Sequence, residues 1–168
     1  SFGRLILTNA DVLFRARVLL SMARQARHLL KTAANAPAGL DRMVAAIGLT
    51  QAGVFLPDGD TRLAKGLHML AEELGEQILP DGGHISRNPG ALVELLSDML
   101  PLRQTFAARN IAPPPALLNA IDRMMPMLRF FRHGDGSFAL FNGMSSAPSD
   151  LVATLLAYDD THGVPMAN

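Results

Sequence analysis

Apolar residues recur at intervals of three and four along most of this 168-residue chain. The clearest example runs over residues 9–34, where one side of the predicted helix is apolar and Arg15, Arg17, Arg24 and Lys31 fall mostly on the other side. Similar segments follow, and short stretches that contain Pro and Gly separate them. No long run alternates in the way that a strand requires, so the spacing predicts an all-α fold.

The connectors place the other helices. Asn88 is expected to cap one of them, with Pro89 at its first helical position, and Asp60 or Thr61 is expected to cap the helix before it. Pro126 lies inside a predicted helix and is expected to kink it. The remaining predicted helices cover residues 40–56, 62–79, 115–133 and 150–158.

Successive helices with short connectors form antiparallel αα-hairpins. Asp-Gly pairs follow three of the predicted helices, at Asp58, Asp81 and Asp135. This dipeptide favours a turn by itself, so its recurrence has two interpretations. Either each pair only makes a turn, or equivalent loops of stacked hairpins point to one common face.

Composition narrows the classes of function. Apolar residues make up 49% and charged residues 18% of the chain, which is typical of a folded domain with a sizeable core. A formal net charge of zero gives no overall attraction to nucleic acid or to an anionic membrane, so neither partner is expected. The chain has no cysteine, its histidines are dispersed and no phosphate-binding loop is present, so no metal and no cofactor are expected.

Four ordered motifs resemble the heparinase II/III-like family of bacterial polysaccharide lyases: "RQARHLLKTA", "LPDGGHISRNP", "LLSDMLPLRQ" and "LRFFRHGDGSFALFNG". The resemblance covers nearly the whole chain and implies an incomplete (α/α) toroid, which an antiparallel β-sandwich domain normally follows. Residues 1–168 are therefore expected to be a single helical domain, a fragment of a longer toroid, whose missing C-terminal β-sandwich is one partner. The resemblance also implies a bacterial, periplasmic protein, although the start of this chain lacks the layout of a signal peptide.

Lyases of this kind break an acidic polysaccharide by β-elimination, in which one group neutralises the uronate and a Tyr or His removes the adjacent proton. Aligning "DGGHISRNPGAL" with the corresponding loop of the family puts Ala91 and Leu92 where that Tyr and His would stand. Neither side chain can exchange a proton. The resemblance therefore leaves open whether the protein is an enzyme.

His84 is the candidate base in this loop, and His133 is a second candidate. Arg87 is the candidate clamp for a carboxylate, because an arginine beside a helix N-terminus favours anions. Asn88 is a candidate substrate contact. The alternatives are that Asn88 only caps the helix and that Arg87 only forms a salt bridge with a neighbour such as Glu94.

Other polar residues are weaker candidates for substrate binding. Asp135 either orients His133 or stabilises its own turn, and Asn142 is either a turn residue or a neutral partner for a sugar carboxylate. The basic residues of the first helix are either a solvated surface or one wall of an anionic groove. These further candidates are Arg132, Asp135, Asn142, Arg27 and His28.

Two functions follow. The first is the helical portion of a heparinase II/III-like protein that binds or cleaves acidic polysaccharide, inactive as this fragment. The alternative is a non-catalytic helical module that binds a glycan or a protein. One tyrosine and no tryptophan count against strong glycan binding. An open arc of hairpins also leaves apolar helix faces uncovered, which predicts self-association.

Overall fold

The computed structural model describes residues 12–144 and 149–162. Within these ranges the chain forms six α-helices, one short 3-10 turn at Ala33–Asn35, and no strand longer than an isolated bridge. The helices are α1 (Val12–Thr32), α2 (Leu40–Phe55), α3 (Asp60–Gln77), α4 (Pro89–Ala108), α5 (Pro115–Phe130) and α6 (Ser149–His162). The prediction of an all-α fold is confirmed.

The helices pack in two layers. One layer contains α2, α4 and α6, and the other contains α3 and α5. Within the layers α2 contacts α4, α4 contacts α6 and α3 contacts α5, and between the layers α2 contacts α3, α4 contacts α5 and α5 contacts α6. Helix α1 packs on α2. Antiparallel αα-hairpins that follow one another in this way form part of an (α/α) toroid, as the sequence predicts.

Helix α4 lies at the centre because apolar residues occur on all of its sides. It contacts α2, α5 and α6, and a helix that is apolar on all sides is stable only when other helices enclose it. The buried residues of α4 are Pro89, Ala91, Leu92, Val93, Leu95, Leu96, Met99, Leu100, Leu102 and Phe106.

Two glycines let α2 and α3 approach each other closely. A Cβ atom added to Gly66 would lie 2.6 Å from Oγ1 and 2.7 Å from the backbone N of Thr50. A Cβ atom added to Gly53 would lie 2.5 Å from the backbone N of Leu63. Neither position accepts a larger side chain unless the helices move apart.

Only one of the two helix caps predicted from the sequence is present in the structure. Asn88 caps α4 as predicted, since its Oδ1 accepts a hydrogen bond from the backbone N–H of Gly90 at 2.8 Å. The expected cap at Asp60 or Thr61 is wrong, because α3 already begins at Asp60 and no side chain caps it. Gly59 precedes α3 instead, and a Cβ atom there would lie 1.8 Å from the backbone O of Gly53. Close packing decides this boundary.

Helix direction alternates, so the connectors alternate between the two ends of the layers. Residues 33–39, 78–88 and 131–144 lie at one end, called here the site end, and residues 56–59 and 109–114 lie at the other. Helix α5 continues through the exposed Pro126 as one element. None of the described helices is long and apolar enough to cross a membrane.

Candidate functional site

Two turns with the same backbone conformation lie at the site end. The first hairpin turn covers residues 78–84 and the second covers residues 132–138. In each turn an antiparallel bridge joins the first residue to the last, and an aspartate Oδ1 accepts the backbone N–H two residues later at 2.9 Å. The glycine after that aspartate has φ of 83° or 84°. The residues in these roles are Ile78, Asp81, Gly82 and His84 in the first turn and Arg132, Asp135, Gly136 and Phe138 in the second.

The third Asp-Gly pair differs from these two. Asp58 lies at the opposite end and itself has φ of 53°, whereas Gly59 has φ of −79°. Two pairs therefore occupy equivalent loops that share one end of the molecule, and the pair at Asp58 only makes a connector.

A cleft of about 260 Å³ lies between the first turn, the start of α4 and the end of α5. The side chain of Asn142, which follows the second turn, donates a hydrogen bond to the backbone O of Arg87 at 3.1 Å. This bond ties the segments that follow the two turns to each other. The residues that line the cleft are Gly83, His84, Arg87, Asn88, Leu92, Met127, Phe130, Phe131 and Phe141.

His84 is buried at the edge of the cleft, with 4% of its surface exposed. Its Nε2 lies 3.0 Å from Oε1 of Gln77, and its Nδ1 accepts the backbone N–H of Ser86 at 3.1 Å and lies 2.7 Å from Oγ of Ser86. The amide nitrogen of Gln77 donates to the backbone O of Gly39, so Oε1 is the acceptor that faces His84. The ring is therefore neutral, with its proton on Nε2.

The hydrogen bonds continue from His84 into the interior. Nε2 of Gln77 also donates to the buried carboxylate of Glu73 at 2.5 Å, and that carboxylate lies 3.6 Å from Nη1 of Arg42. Nε of Arg42 in turn donates to the backbone O of Ala36. This polar chain joins α2, α3 and the two connectors at residues 33–39 and 78–88, so it fixes their relative positions.

The geometry of His84 bears on its candidate role as a base. A general base needs a free lone pair that faces the substrate, and the lone pair on Nδ1 is already engaged by Ser86. Burial lowers the pKa of His84, which favours the neutral ring. These contacts suit a residue that positions the loop, and the assignment of His84 or His133 as a catalytic base stays a prediction.

Arg87 lies on the rim and adopts φ of 55°. Its Nη1 lies 2.6 Å from Oδ2 of Asp81, so its partner is Asp81 and not Glu94. The Arg87 guanidinium lowers the pKa of the Asp81 carboxyl, and the backbone N–H of Gly83 adds to this effect. A carboxylate ligand of Arg87 would have to share the guanidinium with Asp81.

The start of α4 offers little to an anion. Pro89 has no N–H, Gly90 donates to the side chain of Asn88, and Ala91 donates to the backbone O of Asn88. The donors of these first positions are therefore satisfied within the chain.

The other candidates of the second turn are exposed and lie outside the residues that line the cleft. Asp135 accepts hydrogen bonds from the backbone N–H and the hydroxyl of Ser137, at 2.9 and 2.7 Å. These bonds lower the pKa of Asp135. No hydrogen bond joins Asp135 to His133 in the described part of the chain, and Arg132 faces solvent beside them.

Arg27 and His28 are not brought to the cleft. They lie on α1, where His28 helps to line a larger and mostly apolar groove of about 740 Å³ between α1 and α2. Arg24 lines the same groove, whereas Arg27 does not. The groove and the cleft share no residue.

The side chains at the positions aligned with the lyase Tyr and His belong to the core. Ala91 and Leu92 each have 1% of their surface exposed, and Leu92 forms part of the cleft wall. No group of three or more acidic or histidine side chains within the described ranges is arranged to hold a metal ion.

Sequence reasoning missed the aromatic wall of the cleft. Phe131 contacts Phe130, Phe138 and Phe141 edge to face, with ring centroids 5.7, 6.2 and 5.4 Å apart. Phe130 is 79% exposed and Phe141 is 41% exposed. The signal was present in "LRFFRHGDGSFALFNG", but spacing alone did not show which of these rings stay outside the core.

No protein-family model matches the chain. The chain is similar to FtsZ-localized protein C of Caulobacter vibrioides, with 39% identity over 145 residues that cover 86% of this chain and 25% of that protein. It is also similar to the crystal structure of heparinase III, with a TM-score of 0.73 and 16% identity over 89% of this chain and 25% of that one. At this identity the second likeness shows the helical toroid fold alone. The chain spans about a quarter of the length of each protein.

Proposed function

We propose that this chain is a non-catalytic helical module that binds a protein partner through the cleft, within a protein that localizes with FtsZ. The observation that carries the proposal is the burial of Ala91 and Leu92. Both side chains pack in the core where a lyase of the resembling family needs a proton donor and acceptor. Nothing at these two positions can carry out β-elimination, while the fold around them is intact.

The similarity to FtsZ-localized protein C supports the second half of the proposal. It covers 86% of this chain at 39% identity, whereas the identity to heparinase III is 16%. The name of the more similar protein describes a location and not a reaction. The similarity therefore supports a shared location more strongly than it supports shared lyase activity.

The chemistry of the cleft suits a protein partner. Phe130 and Phe141 expose aromatic surface beside the paired charges of Arg87 and Asp81. Exposed aromatic anchors next to an arginine are typical of the centres of protein interfaces. A pocket of about 260 Å³ is large enough for one or two side chains of a partner.

The test is a fluorescent fusion of the protein in Caulobacter vibrioides, together with binding of the purified protein to immobilised FtsZ. We expect the fusion to overlap with FtsZ. We also expect Phe130→Ser and Phe141→Ser to weaken binding by about tenfold or more if these rings are interface anchors. Phe55→Ser is the matched control, because Phe55 is an exposed phenylalanine at the opposite end of the layers.

Two results contradict the proposal. One is release of unsaturated uronate from heparan sulfate or alginate by the protein, followed by ultraviolet absorbance. The other is a fusion that is spread evenly through cells in which FtsZ is localized. Overlap with FtsZ without direct binding would leave the location correct and assign the cleft to another protein.

Acidic polysaccharide is the second candidate ligand of the cleft. It is favoured by one observation, the presence of Arg87 and Asn88 beside aromatic rings that a sugar can stack on. If this candidate is correct, the protein binds immobilised heparin or alginate, and Arg87→Gln weakens that binding while Arg123→Gln does not. Arg123 is an exposed arginine of α5 that does not line the cleft.

A further inference from the structure

The first two helices leave an open groove between them. Each helix lines it with residues at positions i, i+3, i+4 and i+7, which lie on one side of an α-helix. The groove has a volume of about 740 Å³ and runs along both helices. The two lining stripes are Met22, Gln25, Ala26 and Leu29 on α1 and Gly48, Gln51, Ala52 and Phe55 on α2.

Small residues keep the groove open. Ala26, Gly48 and Ala52 fill little of it, and a Cβ atom added to Gly48 would lie 3.4 Å from Cδ2 of Leu29. At Gly53, by contrast, the backbone of α3 approaches to 2.5 Å from such an atom. Helix α1 is therefore held less closely against α2 than α3 is. The space that remains accepts several side chains of another helix.

The packing of the layers indicates what kind of helix fits this groove. Helix α2 packs against α3 and α4, and α4 packs against α5 and α6. A helix placed before α2 in the same layer would pack in the same way against α1 and α2, which are the two helices that form the groove. Helix α1 lies beside α3, since Nζ of Lys65 on α3 donates to the backbone O of Leu30 at 2.8 Å. The groove is therefore the position at which the layer of α2, α4 and α6 continues.

Helix α6 lies at the other edge of that layer among the described helices. Val152, Leu155 and Leu156 are buried on the side that packs against α4 and α5, whereas Asp150 and Thr154 are exposed on the opposite side. Helices α2, α4 and α6 all begin at the site end. A copy of α6 placed in the groove would therefore run in the same direction relative to its neighbours as it does in its own chain.

Charge complementarity favours α6 as the occupant. Helix α1 contains five of the 15 lysines and arginines of the chain and none of its aspartates or glutamates, while α6 contains three aspartates and no lysine or arginine. Arg24 and His28 line the groove, and no acidic residue of the described ranges lines it. A basic groove and an acidic helix attract each other and disfavour pairing of either surface with itself.

We propose that the groove between α1 and α2 binds α6 of a second copy of this chain. The contact joins two different surfaces, so each copy keeps one groove or one α6 for a further copy. The chain then assembles head to tail, and the layer of α2, α4 and α6 continues from copy to copy. The inference does not rest on the function proposed for the cleft, because the groove and the cleft share no residue.

The experiment is sedimentation velocity of the purified chain over a range of concentrations. We expect dimers and longer species that increase with concentration and decrease with added salt, which screens the charges. Ala52→Phe fills the groove, and Asp150→Arg with Thr154→Arg makes the exposed side of α6 basic. Each of these variants should weaken association by about tenfold or more. Ala71→Phe on α3 and Asp122→Arg on α5 are the matched controls, because both residues are exposed and lie outside the two surfaces.

Mixing the two kinds of variant gives the decisive result. A copy with a filled groove keeps its α6, and a copy with a basic α6 keeps its groove. An equal mixture should therefore form dimers and nothing longer, while each variant alone stays mainly monomeric. Circular dichroism checks that each variant keeps its helices, and Ala52→Leu replaces Ala52→Phe if the larger side chain unfolds the protein.

Three results overturn the proposal. A chain that is monomeric at every concentration leaves the groove to a helix of another protein. Association that persists in both variants, or that the controls weaken equally, occurs through other surfaces. A mixture that fails to restore dimers shows that the groove and α6 do not bind each other.

Discussion

The two hairpin turns at the site end have the same backbone conformation but contact different surroundings. Residues 78–84 and 132–138 have the same bridge, the same aspartate-to-backbone hydrogen bond and the same glycine conformation. The first turn is packed against α5 and joined to the buried polar chain, while the second turn is largely exposed. Position 84 is a hydrogen-bonded histidine, and the equivalent position 138 is an apolar phenylalanine.

The comparison separates two causes. Asp followed by Gly determines the local shape, which is why the shape recurs, and the neighbours determine what the turn contributes to the fold and the cleft. The first turn forms one wall of the cleft through His84 and Gly83, whereas the residues of the second turn stay outside it. Four predictions test this division, and they follow in order of decreasing effect.

Replacing the turn glycine should be far more harmful in the first turn. Both glycines have φ near 84°, where a Cβ atom costs about 1–2 kcal/mol. A Cβ atom at Gly82 would also lie 1.9 Å from the backbone O of Arg123, whereas at Gly136 the nearest atom is 3.8 Å away. We expect Gly82→Ala to lower the free energy of unfolding by about 3 kcal/mol or more and Gly136→Ala by about 1 kcal/mol.

Urea denaturation followed by circular dichroism measures both changes. If Gly82→Ala fails to fold in buffer alone, both variants are compared in the presence of a stabilising osmolyte. Equal losses in the two turns would mean that the contact of the first turn with α5 contributes nothing to stability.

Replacing the last residue of the first turn by its counterpart in the second turn should also lower the free energy of unfolding. His84→Phe leaves Oε1 of the buried Gln77 and the backbone N–H of Ser86 without their partners, and each unsatisfied group costs about 1–3 kcal/mol. We expect a loss of about 2 kcal/mol, measured by thermal unfolding. Phe138→Leu is the control in the second turn, where a swap between apolar residues should cost less than about 1.5 kcal/mol. An unchanged His84→Phe variant would show that the polar chain is dispensable.

Most of the helical framework could be predicted from the sequence, and particular residues explain why. The three- and four-residue spacing located α1 to α5 within a few residues, and Asn88 with Pro89 gave the start of α4. The start of α3 could not be predicted, because Gly59 is placed by its contact with Gly53, a contact that exists only once α2 and α3 are packed. The spacing of apolar residues reports on one helix and not on its distance from the next.

The candidate site could be predicted only in part, for the same reason. The sequence drew attention to His84, Arg87 and Asn88, and the structure brings these three to one cleft. It did not reveal that Gln77 and Ser86 occupy both ring nitrogens of His84, since those contacts depend on the path of the loop. It left Arg27 and His28 as either a solvated surface or one wall of an anionic groove, and neither residue lines the cleft in the structure.

Between neutral and mildly acidic pH the protein should be destabilised through His84 and not through the second turn, because the carboxyl of Asp135 is protonated only at a lower pH. Burial lowers the pKa of His84 below its ordinary value of 6.5, so the unfolded chain binds a proton at a higher pH than the folded chain does. Stability is therefore unaffected by this group above pH 6.5 and falls as the pH drops below that value, by up to about 1.4 kcal/mol per pH unit. Urea denaturation from neutral to mildly acidic pH measures this slope, and His84→Phe should reduce it. An identical slope in that variant would assign the effect to other groups.

The smallest effect concerns the two turn aspartates, whose pKa values are lowered by different neighbours. The Arg87 guanidinium is the main cause at Asp81, and the Ser137 hydroxyl is the main cause at Asp135. Both carboxyls therefore favour the folded state above their ordinary pKa and lose that contribution as the pH falls into the acid range. Carboxyl carbon NMR titration should show that Arg87→Gln raises the pKa of Asp81 and leaves the pKa of Asp135 unchanged. Ser137→Ala should raise the pKa of Asp135 and leave the pKa of Asp81 unchanged. A shift in the pKa of both carboxyls in either variant would mean that the two turns are coupled across the cleft. The properties of each turn would then not be determined by its own neighbours alone.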